Sequence, residues 1–165
     1  MKKIGKITLT LLAVCSIFVL ISCSFYSAND ATAAFELVED TTEDMGMKSS
    51  MTYQVAFNKD GTCTEYVKFK VGIFSFKADA EGTWQASIAS PDNKSWAAGT
   101  MTMSALELSI FGETEEIQDE GTYYWYVYND KLYLEKSESN HASIVENPSQ
   151  LETNADMALS RVFPN

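Results

Sequence analysis

Few side chains in this sequence have the types and spacing that chemistry needs. His141 is the only histidine among 165 residues, and its setting, Ser139-Asn140-His141-Ala142-Ser143, reads as a solvated loop. One histidine and one distant cysteine give no zinc-ligand spacing, so no metal site is expected. Glu113, Glu115, Glu116, Asp119 and Glu120 carry the oxygens that calcium takes but lack the alternating loop that wraps it. They read as a solvated charge run, as do Asp40, Glu43 and Asp44. No Gly-x-Ser-x-Gly, Ser-x-x-Lys or Walker loop is present to hold a nucleophile or a nucleotide. Neither an enzyme nor a cofactor is therefore expected. Carboxylate pairs that hydrolyse glycosides meet only in a fold and leave no spacing to read.

The three cysteines divide by position. Cys63 lies in Thr62-Cys63-Thr64-Glu65, a strand-like setting in which a half-buried, inert thiol is expected. Cys15 and Cys23 belong to an N-terminal segment with a basic start (Lys2, Lys3, Lys6) and an apolar run from Ile7 to Ile21. As a helix that run would cover about 22 Å, short of the roughly 30 Å hydrocarbon layer, so it reads as a signal peptide rather than a span. Leu20-Ile21-Ser22-Cys23 resembles the lipobox of bacterial lipoproteins. The resemblance implies that the Cys23 sulfur takes a diacylglycerol, that cleavage falls just before it, and that the new amino terminus is acylated. Two or three acyl chains anchor stably where one does not. Membrane attachment through Cys23 in a bacterial cell envelope is thus expected. Ser24 resembles the outer-membrane default of enteric bacteria, for a host that has such a membrane. Ser24 to Ala34 reads as a small, polar tether.

Loss of residues 1–22 leaves 143 residues, enough for one domain with a real core. It also removes three lysines and takes the net charge from −11 to −14. That charge repels nucleic acid, which is excluded as a partner. With Cys15 removed and Cys23 lipidated, Cys63 has no internal partner for a disulfide, so the core alone must hold the fold.

From Thr52 onward apolar residues recur with period two, the pattern of half-buried strands. Tyr53, Val55 and Phe57 share a face, and Asn58-Lys59-Asp60-Gly61 then turns the chain into a return strand from Thr62 to Val71. Further strands are expected at Ile73 to Ala78, Gly82 to Ala89, Gly99 to Ser104, Leu106 to Phe111, Thr122 to Tyr128, Lys131 to Lys136 and Met157 to Phe163. The acidic stretch Glu113 to Glu120 and the polar stretch Ser137 to Asn154 read as loops. Asp30 to Glu39 reads as a short helix capped by Asp30. The expected organisation is a signal peptide over 1–22, a lipidated tether over 23–49 and a β domain over 50–165. Its fold class is all-β, an antiparallel up-and-down meander of about eight strands closed into a barrel, which removes the exposed edges. A two-sheet sandwich is the alternative.

Residues 50–163 resemble the lipocalin-like lipoproteins of bacterial envelopes. The residues that carry this are Phe57 with Asp60-Gly61-Thr62, Gly82-Thr83-Trp84, Leu132-Tyr133-Leu134 and the closing Leu159-Ser160-Arg161-Val162-Phe163. The resemblance implies a barrel whose lumen holds a small apolar ligand. Lipocalins carry a Gly-x-Trp in the first strand, packed near the late arginine. Here Gly82 and Trp84 come about a third of the way into the barrel.

Tyr123-Tyr124-Trp125-Tyr126-Val127-Tyr128 is aromatic on both faces if it is a strand: Tyr123, Trp125 and Val127 on one, Tyr124, Tyr126 and Tyr128 on the other. One face is core, and the second needs a cover, for which the Phe35 to Val38 segment is the candidate, or else a ligand or partner. Two functions are expected from this. The first is a non-enzymatic lipocalin-like binding domain, with Phe69 and Trp84 lining the interior against a small apolar ligand. The alternative is a structural lipoprotein that docks to another envelope protein through Tyr124 and Tyr126.

Overall fold

The computed structural model describes residues 31–44, 47–110, 113–117, 121–154 and 157–162. The strands are β1 (Ala31–Asp44), β2 (Met47–Asn58), β3 (Thr62–Val71), β4 (Phe74–Ala86), β5 (Trp96–Ile110), β6 (Glu113–Ile117), β7 (Gly121–Tyr128), β8 (Lys131–Glu135) and β9 (Leu159–Val162). Helices α1 (Glu138–Glu146) and α2 (Gln150–Asn154) lie between β8 and β9.

Every pairing is antiparallel; β4 pairs with β5 as well as β3, and β9 returns to β1, so the sheet closes. Both β6 and β7 pair with β5. Leu106 faces Ile117 and Met103 faces Gly121, so the two registers differ by one residue and β6 and β7 together form one interrupted barrel strand. The result is an eight-stranded up-and-down barrel of the lipocalin-like kind, and not a two-sheet sandwich. Local chemistry agrees with the expected turns. The Asp60 carboxylate accepts the Thr62 amide at 2.9 Å and the Thr62 hydroxyl at 2.6 Å, while Gly61 takes φ +87°. At the β7–β8 turn Asn129 and Asp130 have φ of 49° and 66°, the left-handed pair of a two-residue hairpin.

Several elements differ from expectation. The segment read as a tether with a short helix is β1, paired with β2 along most of its length and with β9 at Ala34↔Val162. Ala33, Phe35 and Leu37 belong to the barrel core, so strand alternation wins over the helical reading and the barrel begins before residue 50. Ile73 to Ala78 and Gly82 to Ala89 are not separate strands; Phe74 to Ala86 form the single strand β4. Gly82 stays in the ladder because, without a Cβ, it lets the Thr102 carbonyl come against it at an irregularity in the β4–β5 register. Gly99 to Ser104 and the residues from Leu106 to Ile110 likewise merge in β5, and Glu113 to Ile117 is a strand rather than loop. Ser137 to Asn154 is mostly helical.

The barrel has two unlike ends. One holds the Asn58–Gly61 turn, the β4–β5 connection and the Asn129-Asp130 turn, and it is packed solid. Phe57 is ringed there by Phe35, Trp84 and Trp125 with centroids 6.2, 5.8 and 5.2 Å away. Arg161 seals this end. Its guanidinium lies 4.7 Å from the Phe35 centroid, its Nε donates to the Asp130 carboxylate, and its Nη2 donates to the Pro91 carbonyl at 3.1 Å. The ring under the late arginine is therefore Phe35 of the first strand, and Trp84 belongs to the core beside it.

Candidate functional site

The other end is less completely packed among the described residues. Side chains of β2, β7, β8 and β9 turn inward there and stop short of filling it, which leaves a cavity of about 190 Å³. Its lining is Tyr53, Tyr123, Leu134, Lys136, Met157 and Leu159. Each position follows from strand parity. Tyr53 lies two residues from Val55, Tyr123 two from Trp125, and Leu134 two from Leu132, so each shares the inward face of a buried neighbour. Beneath the cup the Tyr53 hydroxyl donates to the Glu65 carboxylate at 2.6 Å. Burial, with the Glu65 charge added to it, raises the Tyr53 pKa far above that of a free phenol, so the hydroxyl stays protonated and remains a donor. At the mouth the Lys136 ammonium lies 4.6 Å from the Tyr123 ring centroid. This is an apolar, aromatic cup with one cation at its lip, suited to holding a small molecule.

None of the four residues expected at a contact site lines the cup. Trp84 is locked into the packed end, its indole donating to the Asn58 carbonyl at 3.0 Å and its ring 6.2 Å from that of Trp125. Phe69 faces inward by parity, but it sits at the rim opposite Met51 and Phe76 and is 41% exposed. Tyr124 and Tyr126 point outward, as expected, yet the chain covers them itself. Tyr126 is 0% exposed and packs with Tyr133, Ile144 and Leu151, the last two carried by α1 and α2. The cover is thus not the Phe35 to Val38 segment, whose Phe35 lies inside the barrel; Tyr126 is closed off, and Tyr124 and Tyr128 are half-buried beside it.

His141 is part of that cover and not a loop residue. Its Nδ1 is hydrogen-bonded to the Tyr126 hydroxyl at 2.7 Å, and its ring stacks on Tyr124 with centroids 4.2 Å apart. Burial, with Glu135 and Tyr124 adding to it, raises the Tyr126 pKa, which keeps the hydroxyl in place as a neutral partner. Cys63 is 1% exposed, with its sulfur 3.8 Å from that of Met103; burial, helped by the Glu65 charge, pushes its thiol up to about 12. It is an inert core thiol, more deeply buried than expected. Cys23, Asp119 and Glu120 lie outside the described residues.

Sequence reading missed Lys136 and the cup's other lining residues as a group. Parity was available for Tyr53 and Tyr123 separately. What brings them together is closure, which sets β2 across from β7, strands far apart in the chain. No protein-family model, no curated protein and no solved structure matches the chain.

Proposed function

We propose that the chain is a membrane-anchored envelope lipoprotein whose non-enzymatic, lipocalin-like domain binds a small apolar ligand in the open-end cup. The observation that carries the reading is the cup itself: an apolar cavity of about 190 Å³ at one end of the barrel, beside the buried cluster of Phe35, Phe57 and Trp125. A barrel that was only structural would gain stability by filling it. The lipobox resemblance at Leu20-Ile21-Ser22-Cys23 supports the anchor.

Two measurements test the two halves. Mass spectrometry of the native amino terminus is expected to show acylated Cys23 as the first residue; a free thiol there refutes the anchor. Native mass spectrometry of protein purified gently from its own host is expected to show a carried small molecule that Leu134→Trp, which fills the cup, releases. An empty wild-type barrel that also binds none of a panel of small apolar probes refutes carriage.

A further inference from the structure

We propose that the tip of the β3–β4 hairpin docks on the surface of an anionic lipid bilayer, its apex entering the head-group region and its lysines meeting the phosphates. This needs neither a ligand in the cup nor lipid on Cys23.

The apex is apolar where a turn is ordinarily polar. Gly72-Ile73 joins β3 to β4 as a two-residue turn closed by the pair Val71↔Phe74, and Gly72 takes φ 58°, as a tight hairpin turn requires. Such turns favour Gly, Asn and Asp. Here the second position is Ile73, 90% exposed and the most exposed of the large hydrophobic residues described. Phe69 and Phe74 adjoin it, also exposed. One isoleucine in water is ordinary, whereas adjoining apolar side chains at a projecting tip form a patch that calls for a cover.

Charge names that cover. The chain has 12 Lys and Arg, of which Lys2, Lys3 and Lys6 belong to its start. Four of the others, Lys48, Lys68, Lys70 and Lys77, lie exposed around this one hairpin. Between Val67 and Ala78 there is no Asp or Glu, in a chain whose net charge is −11. Strand parity sets Lys68 and Lys70 on the outer face, because Phe69 between them faces inward. Register gathers the rest: Lys68 stands directly opposite Lys77, Lys70 lies between Ser50 and Ser75, and the Lys48 carbonyl accepts the Gly72 amide at 3.0 Å. Like charges opposed across a ladder cost stability, and an anionic surface removes that cost. Acidic residues begin only at the margins, with Asp40 opposite Ser50 and the pair Asp79↔Glu107 one row further along the wall. A protein partner also offers carboxylates, yet a two-residue apex buries little area against a protein and enters a bilayer whole.

The dimensions fit. At about 3.3 Å of rise per residue, Lys70 lies about 10 Å from Ile73, and Lys68 and Lys77 about 13–16 Å. With the apex about 5–10 Å deep, their long stems reach the phosphates. Ala31 pairs with Asn58 at the opposite end of the barrel, so a chain held by its amino-terminal end presents this tip to a facing surface.

The test holds the full chain by its amino-terminal end in neutral phosphatidylcholine vesicles and adds fluorescent vesicles containing one part phosphatidylglycerol to two of phosphatidylcholine. Capture of the fluorescent vesicles is expected, and its loss near 1 M salt, where the Debye length is about 3 Å. A lysine near an anionic surface favours binding about fivefold, so Lys48→Gln with Lys70→Gln should weaken capture about twentyfold. Ile73→Ser should weaken it about tenfold. Both variants should keep the wild-type melting temperature, because the altered side chains are exposed. Equal capture of neutral vesicles, capture that survives both substitutions, or no capture overturns the proposal. Clustering of the protein-bearing neutral vesicles among themselves assigns the tip to a second copy of the chain and overturns it too.

Discussion

Gly99 shows how closely the barrel wall is fitted. A Cβ there would overlap the Gln85 carbonyl and lie 2.5 Å from the Trp125 ring, whose indole donates to the neighbouring Thr100 carbonyl. Gly99→Ala is expected to cost about 1–3 kcal/mol in urea denaturation, as overpacking does; a cost below about 0.5 kcal/mol would mean that the wall gives way. Asp79 is the opposite case, a side chain whose removal should help. It stands between Tyr66 of β3 and Glu107 of β5, and its Oδ1 is buried with no hydrogen-bond partner among the described residues. Burial raises its pKa above the usual 3.8, opposed by Lys77 and reinforced by Glu107. The fold thus disfavours the anion, and relative stability rises as pH falls through the raised pKa. The residue is only half-buried, so Asp79→Asn should gain no more than about 0.5 kcal/mol at pH 7 and nothing near pH 3, where both states are neutral. Two unfolding curves at those pH values check the sign. The cup's lysine had no such signal in the sequence: Lys136 ends a strand, where a lysine is ordinary, and only the facing Tyr123 makes it part of a site.

Strands were legible wherever the wall separates core from water. Tyr53-Gln54-Val55-Ala56-Phe57 and Val67-Lys68-Phe69-Lys70-Val71 alternate cleanly, and β2 and β3 lie where that alternation puts them. β1 misled because Ala33, Ala34, Phe35, Leu37 and Val38 satisfy a helical stripe as well as a strand face. Only pairing with β2 and β9 decides between the two. The helices were hidden for the reverse reason: α1 presents Ile144 as its one buried residue, too little periodicity to see. Their worth is tertiary. Leu151 is 6% exposed against Tyr126 and Tyr133, so Leu151→Ala should cost about 2–3 kcal/mol and expose the outer tyrosines to a hydrophobic dye while the strand spectrum survives. Glu135 sets the entry to α1: its Oε1 accepts the Ser137 amide at 2.8 Å and its Oε2 accepts Asn140 Nδ2 at 3.1 Å. The Ser137 bond above all, with Asn140 adding to it against slight burial, lowers its pKa below the usual 4.5. That contribution is complete above pH 4.5 and is lost as pH falls through the lowered value. The protection of α1 amides, taken relative to their intrinsic exchange rate at each pH, should therefore fall below pH 4.5 in the wild type, and Glu135→Gln should flatten that dependence.

At the scale of the whole molecule, closure joins the first strand of the barrel to the last. Contacts so distant in sequence slow folding, and milliseconds to seconds are expected rather than microseconds. Ending the chain after Ala158 removes β9 and bares the edges of β1 and β8; such a protein should elute as larger species than the full chain does. Closure has a further consequence, for orientation. Ala31 pairs with Asn58, so the chain enters the barrel at the sealed end, beside the place where β9 leaves it. Seven residues separate Cys23 from Ala31, so the eight steps between them span at most about 28 Å of extended chain. A lipid at Cys23 would therefore hold the molecule by its sealed end. So anchored, the molecule would stand as a goblet on its stem, its attachment at one end and its cup toward the other.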